Sequence, residues 1–150
     1  CLSLSAKQPE IYLLLAQAAK YLMRFDKAEQ ALLVAYDLNK QFIPGLLALA
    51  IHYGEASEYE LSKRYLKNII EIEPEHVQAF SLLVRMGKVS FNDSLVTDYI
   101  DQMLLKLKSV DSNLSRQDKI MLHYSFAELN HDKRQYSQAF EHFELANQLQ

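Results

Sequence analysis

The sequence predicts an all-α fold built from stacked helical hairpins, and three observations lead there. Glycine and proline number only three each in 150 residues, too few to punctuate strands and turns. Apolar residues recur at spacings of 3, 4 and 7, the signature of a helix with one buried face. That pattern also repeats with a period of 34 residues, a length that accommodates two helices and their turn.

The register is clearest at the small residues. Ala28, Ser62 and Val96 are spaced by 34, and Ala139 follows 43 later. Three residues before them lie Phe25, Tyr59, Asp93 and Tyr136. Leu32, Leu66, Ile100 and Phe143 come four residues after, and Ala35, Ile69, Met103 and Ala146 seven after. Upstream, a first helix carries three further columns. These are Tyr12, Leu46, Phe80 and His123; Leu15, Leu49, Leu83 and Phe126; and Ala16, Ala50, Val84 and Ala127. Each column is expected to pack. A small residue on each helix of a hairpin lets the two approach closely.

These residues resemble the tetratricopeptide repeat family. Ala16, Ala50 and Ala127 match its small residue in the first helix. Ala28, Ser62 and Ala139 match the one in the second, and Pro74 its closing proline. The resemblance implies a right-handed superhelical solenoid of about four hairpins: 9–42, 43–76, 77–119 and 120–150. Residues 1–8 would be a linker or the tail of a preceding repeat, with Pro9 opening the first helix. The third repeat is degenerate, with Val84 and Val96 at its small positions. Its extra length falls in the polar stretch Ser109–Gln117, a lengthened loop before a helix starting near Arg116.

Composition restricts function. A net charge of −3 and a pI near 5.9 argue against a nucleic-acid binder, which needs a basic surface. The same balance removes a base-stacking role for Tyr12, Tyr36, Tyr65 and Phe80. No apolar run reaches the roughly 18 residues that span a bilayer, so no membrane insertion is expected. A single cysteine forms no internal disulfide and points to a reducing, cytoplasmic setting. That cysteine is residue 1, which leaves two readings of the N-terminus. Either the chain is a fragment of a longer one, or it is a processed lipoprotein anchored through an acylated Cys1.

Chemistry-bearing motifs are missing. There is no phosphate-binding glycine loop, no paired-cysteine metal motif and no nucleophile elbow. Two Glu-x-x-His pairs occur, Glu73 with His76 and Glu128 with His131, but Pro74 breaks the first and neither has bridging glutamates. No cofactor, metal or catalytic residue is expected. The sequons at Asn92 and Asn113 carry no sign of secretion beside them.

In the family that the repeats resemble, first helices line a concave groove that binds a peptide or a partner helix. The matching positions are Leu13, Gln17, Lys20 and Tyr21 in the first repeat, and Leu47, Ile51 and Glu55 in the second. Ser81, Arg85 and Lys88 follow in the third, and Tyr124, Glu128 and His131 in the fourth. They lack the lysine and asparagine pattern with which chaperone-binding relatives clamp a C-terminal carboxylate. The expected ligand is an amphipathic segment with an acidic flank near Arg85 and Lys88. The expected role is therefore a non-catalytic protein-interaction scaffold. The alternative is the repeat region of a larger enzyme, because the stretch from Leu122 to Leu149 resembles the last repeat of bacterial tetratricopeptide–sulfotransferase fusions. Self-association through the C-terminal repeat is expected from Phe140, Leu145 and Leu149, which are left over once Ala139, Phe143 and Ala146 have packed.

Overall fold

The computed structural model of the chain describes residues 8–86 and 94–150. The expectations for Cys1 and residues 1–7, for Lys88 and for Asp93 lie outside the described residues, as does the side chain of Val96. Every described element is helical. The helices are α1 (Pro9–Tyr21), α2 (Phe25–Leu38), α3 (Ile43–Glu55), α4 (Tyr59–Ile72), α5 (Val77–Arg85), α6 (Ser94–Lys108), α7 (Arg116–Asp132) and α8 (Tyr136–Leu149). None of them is long and apolar enough to cross a membrane. The chain divides into two compact units, residues 1–72 and 73–150.

In the first unit α1 packs on α2 and α3 on α4, while α3 also touches both helices of the preceding pair. Pro9 opens α1 and Pro44 lies in the first turn of α3, where a missing N–H costs nothing. The small residues do what their spacing demanded. Ala16, Ala28, Ala50 and Ser62 are buried, and the Ser62 hydroxyl donates to the Ala50 carbonyl across the hairpin at 2.5 Å. Leu32, Ala35, Leu46, Leu49, Leu66 and Ile69 complete the core.

The core also holds a tyrosine cluster. Tyr53 stacks on Tyr65 with centroids 5.8 Å apart, and Tyr36 meets Tyr65 edge-on at 5.5 Å. The Tyr53 hydroxyl donates to Glu29 at 2.8 Å. Burial, then the bond to Glu29 and the charge of that carboxylate, hold the Tyr53 hydroxyl protonated far above its ordinary range.

In the second unit α7 packs against α5, α6 and α8. The interior is Phe80, Leu83, Val84, Tyr99, Met103, Leu122, Phe126, Ala127, Ala139 and Ala146. Phe80 meets Tyr99 edge-on at 5.4 Å and Phe126 at 5.4 Å, so α5, α6 and α7 share one aromatic junction. The Tyr99 hydroxyl donates to the His76 carbonyl at 2.5 Å. His76 itself caps α5, its Nδ1 accepting from the Ala79 N–H at 3.1 Å. The Glu-x-x-His pair ending at this residue thus straddles a turn, with His76 used as a helix cap, while the neighbouring Glu75 binds Lys106.

The loop after α6 runs from Ser109 to Ser115, and α7 starts at Arg116. Ser115 and Asp118 form a reciprocal capping box there, which explains the abrupt start.

Three inter-helix turns are built alike. Met23, Ser57 and Arg134 adopt positive φ of 57°, 64° and 59°. At each, the next residue's N–H bonds back five residues: Arg24 to Ala19, Glu58 to Tyr53 and Gln135 to Asn130, all at 2.8 Å. This is a Schellman turn closed without glycine. Met23 and Ser57 are 34 apart and Arg134 follows 77 later, so the backbone keeps the register of the small residues.

Candidate functional site

Two surfaces stand out, one on the first helices and one between helices. In the first unit α1 and α3 lie side by side and present Leu13, Gln17 and Lys20 beside Leu47, Ile51 and Glu55. Lys20 Nζ and Glu55 Oε2 are 2.6 Å apart and join the two helices at one edge. Gln17 is exposed, whereas Leu13, Leu47 and Ile51 are half-buried. Tyr21, 90% exposed, ends the row. Because Lys20 and Glu55 neutralise each other, the face is mainly apolar and aromatic.

In the second unit the anticipated positions disperse. Ser81 is half-buried and Arg85 exposed on α5. On α7, Glu128 is exposed and Tyr124 is turned to the neighbouring helix. Its hydroxyl donates to Asn147 at 2.9 Å and accepts from the Gln150 side chain at 3.0 Å, with its ring against Phe143. His131 is exposed and meets Tyr136 edge-on.

The second surface was not anticipated. A cleft of about 530 Å³ opens between α6, α7 and α8. His123 from α7 and His142 from α8 meet inside it, Nδ1 to Nδ1, at 3.0 Å. Their centroids are 5.3 Å apart, as expected for two imidazoles pointing nitrogen to nitrogen. One ring donates and the other accepts. The two Nδ1 atoms face each other along one line with a single proton between them, the tautomers setting which ring carries it.

Burial lowers the pKa of both histidines. His123 is depressed further by the charge of His142. For His142, Glu141 pulls upward and Lys108 downward.

His142 escaped the sequence reading, although a signal for it exists. Ala31, Tyr65, Tyr99 and His142 form one further column in the same register. That column faces the one containing Phe80 and His123. The Phe80–Tyr99 contact of the third hairpin is therefore replaced by a histidine pair in the fourth.

Leu15, Phe25, Tyr136 and Phe143 depart from the packing expected of their columns, for no second element covers them among the described residues. Leu15 shares a column with the buried Leu49, Leu83 and Phe126, yet it is 53% exposed. With Tyr12, Leu22 and Val34 it lines an open groove of about 470 Å³ between α1 and α2. Compared with known proteins, the chain matches no family model and no curated sequence significantly.

Proposed function

We propose that this chain is a non-catalytic interaction module of the tetratricopeptide kind, which binds a peptide or a partner helix on the faces of its first helices. The observation that carries the repeat plan is the left-handed turn residue recurring at Met23, Ser57 and Arg134 in the register of the small residues. A backbone feature and a side-chain feature sharing one period support a single repeated unit.

The binding reading rests on the α1–α3 face. Leu47 and Ile51 leave apolar surface half-exposed there, Tyr21 adds a large amphipathic ring, and the Lys20–Glu55 pair fixes the helices beside each other. Aromatic and aliphatic anchors on a rigid two-helix face suit a short amphipathic ligand.

Selection of random displayed peptides against the chain should return sequences with apolar and aromatic anchors at helical spacing. Leu47→Glu should abolish their binding, and Ile51→Glu should weaken it, while helicity is retained. Peptides whose binding ignores both changes would refute the assignment.

A further inference from the structure

The open groove on the first hairpin and the cleft on the last are one surface, position for position. The groove is lined by Tyr12, Leu15, Ala19, Leu22, Ala31 and Val34. The cleft is lined by His123, Phe126, Asn130, Lys133, His142 and Leu145, each 111 positions later. In the last hairpin α6 lies opposite this surface and closes one side of the cleft with Ile100, Asp101 and Leu104. In the second hairpin the same columns, now Leu46, Leu49, Tyr53 and Tyr65, are covered by α2. There Glu29 accepts from Tyr53 and Tyr36 packs on Tyr65. The chain thus shows twice what lies on this surface: the second helix of another hairpin. On the first hairpin, no described element lies there.

The matching helix is present, and it leaves much of this face exposed even though Tyr124 touches Phe143 and Asn147. On α8 the residues in register with Ile100, Asp101 and Leu104 are Phe143, Glu144 and Asn147, and Phe140 is in register with Glu29. Phe140 is 63% exposed, Phe143 is half-exposed, and Glu144 and Asn147 are exposed. Tyr136, Phe140 and Phe143 form an aromatic row at helical spacing. Charge agrees as well: exposed Arg24 and Lys27 rim the groove, and exposed Glu141 and Glu144 flank the row.

We infer that two copies of this chain associate head to tail, the α8 row of one seating in the α1–α2 groove of the other. The donor and acceptor surfaces differ, so the contact is heterologous and each added copy still presents a free groove and a free row. Assembly should therefore pass beyond a dimer.

Sedimentation velocity over a concentration series tests this on the 150-residue chain. The wild-type chain should show a sedimentation coefficient that rises with concentration past the dimer. Leu15→Glu spoils only the groove and Phe140→Glu only the row. Each alone should raise the apparent dissociation constant by more than about tenfold, because a carboxylate is then forced into an apolar contact. An equimolar mixture of the two variants should form a one-to-one complex that stops there, because only one intact pair of surfaces remains.

Leu22→Glu and Glu144→Lys are a second groove and row pair, to be used if circular dichroism shows either first variant unfolded. A wild-type chain monomeric throughout would overturn the inference. So would a closed dimer lost in one variant and untouched in the other, or a mixture that stays monomeric. The groove lies on a different side of α1 from Leu13 and Gln17, so failure here leaves the peptide-binding proposal standing.

Discussion

The third and fourth hairpins place different chemistry at the same two positions. In the third, Phe80 and Tyr99 meet edge-on, and the tyrosine hydroxyl is anchored on a backbone carbonyl. In the fourth, His123 and His142 meet head-on beside a solvent-open cleft. The first contact is indifferent to pH across the physiological range. The second is not, because both rings are titratable and burial makes each harder to protonate than a free imidazole. A repeat preserves where side chains meet and leaves free what they do there.

The first and second hairpins make the same point for burial. Leu15 and Leu49 occupy one column, yet Leu15 is 53% exposed and Leu49 fully buried. This contrast gives the largest expected effect. Leu49→Ala should cost about 2–5 kcal/mol by urea denaturation, from lost transfer energy and a residual cavity. Leu15→Ala should cost less than about 1 kcal/mol, because its side chain already meets water. Equal losses at both sites would mean that the groove is filled.

The Phe80–Tyr99 junction can be probed next. Tyr99→Phe removes the bond to the His76 carbonyl and should cost about 1 kcal/mol. The loss stays at that level because the carbonyl keeps its bond from the Phe80 N–H at 3.2 Å. A loss above 3 kcal/mol, roughly the ceiling for an orphaned buried group, would show that this accounting misses a partner.

The turns give a smaller effect of opposite sign. Met23→Gly and Arg134→Gly relieve a left-handed backbone at non-glycine residues. Each should stabilise by up to about 1 kcal/mol, since removing the Cβ strain outweighs the entropy of glycine. Destabilisation at both would mean that these side chains make contacts worth more than the strain.

The finest difference is in pH dependence. Both histidines have a folded pKa below the ordinary value of 6.5, so the unfolded chain binds protons more readily. The stability they contribute is fully present above that value and is lost as pH falls below it. The charged groups around them are Asp101 and Lys108 from α6, Lys133 just after α7 and Glu141 on α8. Urea midpoints at about pH 7.5 and 5.5 should therefore fall more in the wild type than in a His123→Phe, His142→Tyr double variant, which copies the third hairpin. An unchanged slope in the double variant would assign the pH dependence to other groups.

Much of this organisation was legible in the sequence. The 34-residue spacing of Ala28 and Ser62 marks the places where helices pack most closely, and both are buried. Pro9 and Arg116 open helices where the sequence reading placed their starts. The α1–α3 face was partly legible. Lys20 and Glu55 were both placed on it, and only the packing of α1 on α3 turned them into an ion pair. Tyr124 was expected among the groove positions too, but it turns to Asn147, because the α7–α8 hairpin supplies a nearer acceptor.

The sequence by itself determined the helices and the small positions, such as Ala28 and Ser62, at which they pack most closely. These follow from local periodicity and from the steric need for small residues at close approaches. The tertiary structure alone decided which columns are covered. Periodicity tells which way Leu15 and Leu49 face but not what lies opposite, and burial depends on the second partner. For the same reason His123 and His142, 19 residues apart on two helices, became a pair only when α7 and α8 closed on each other.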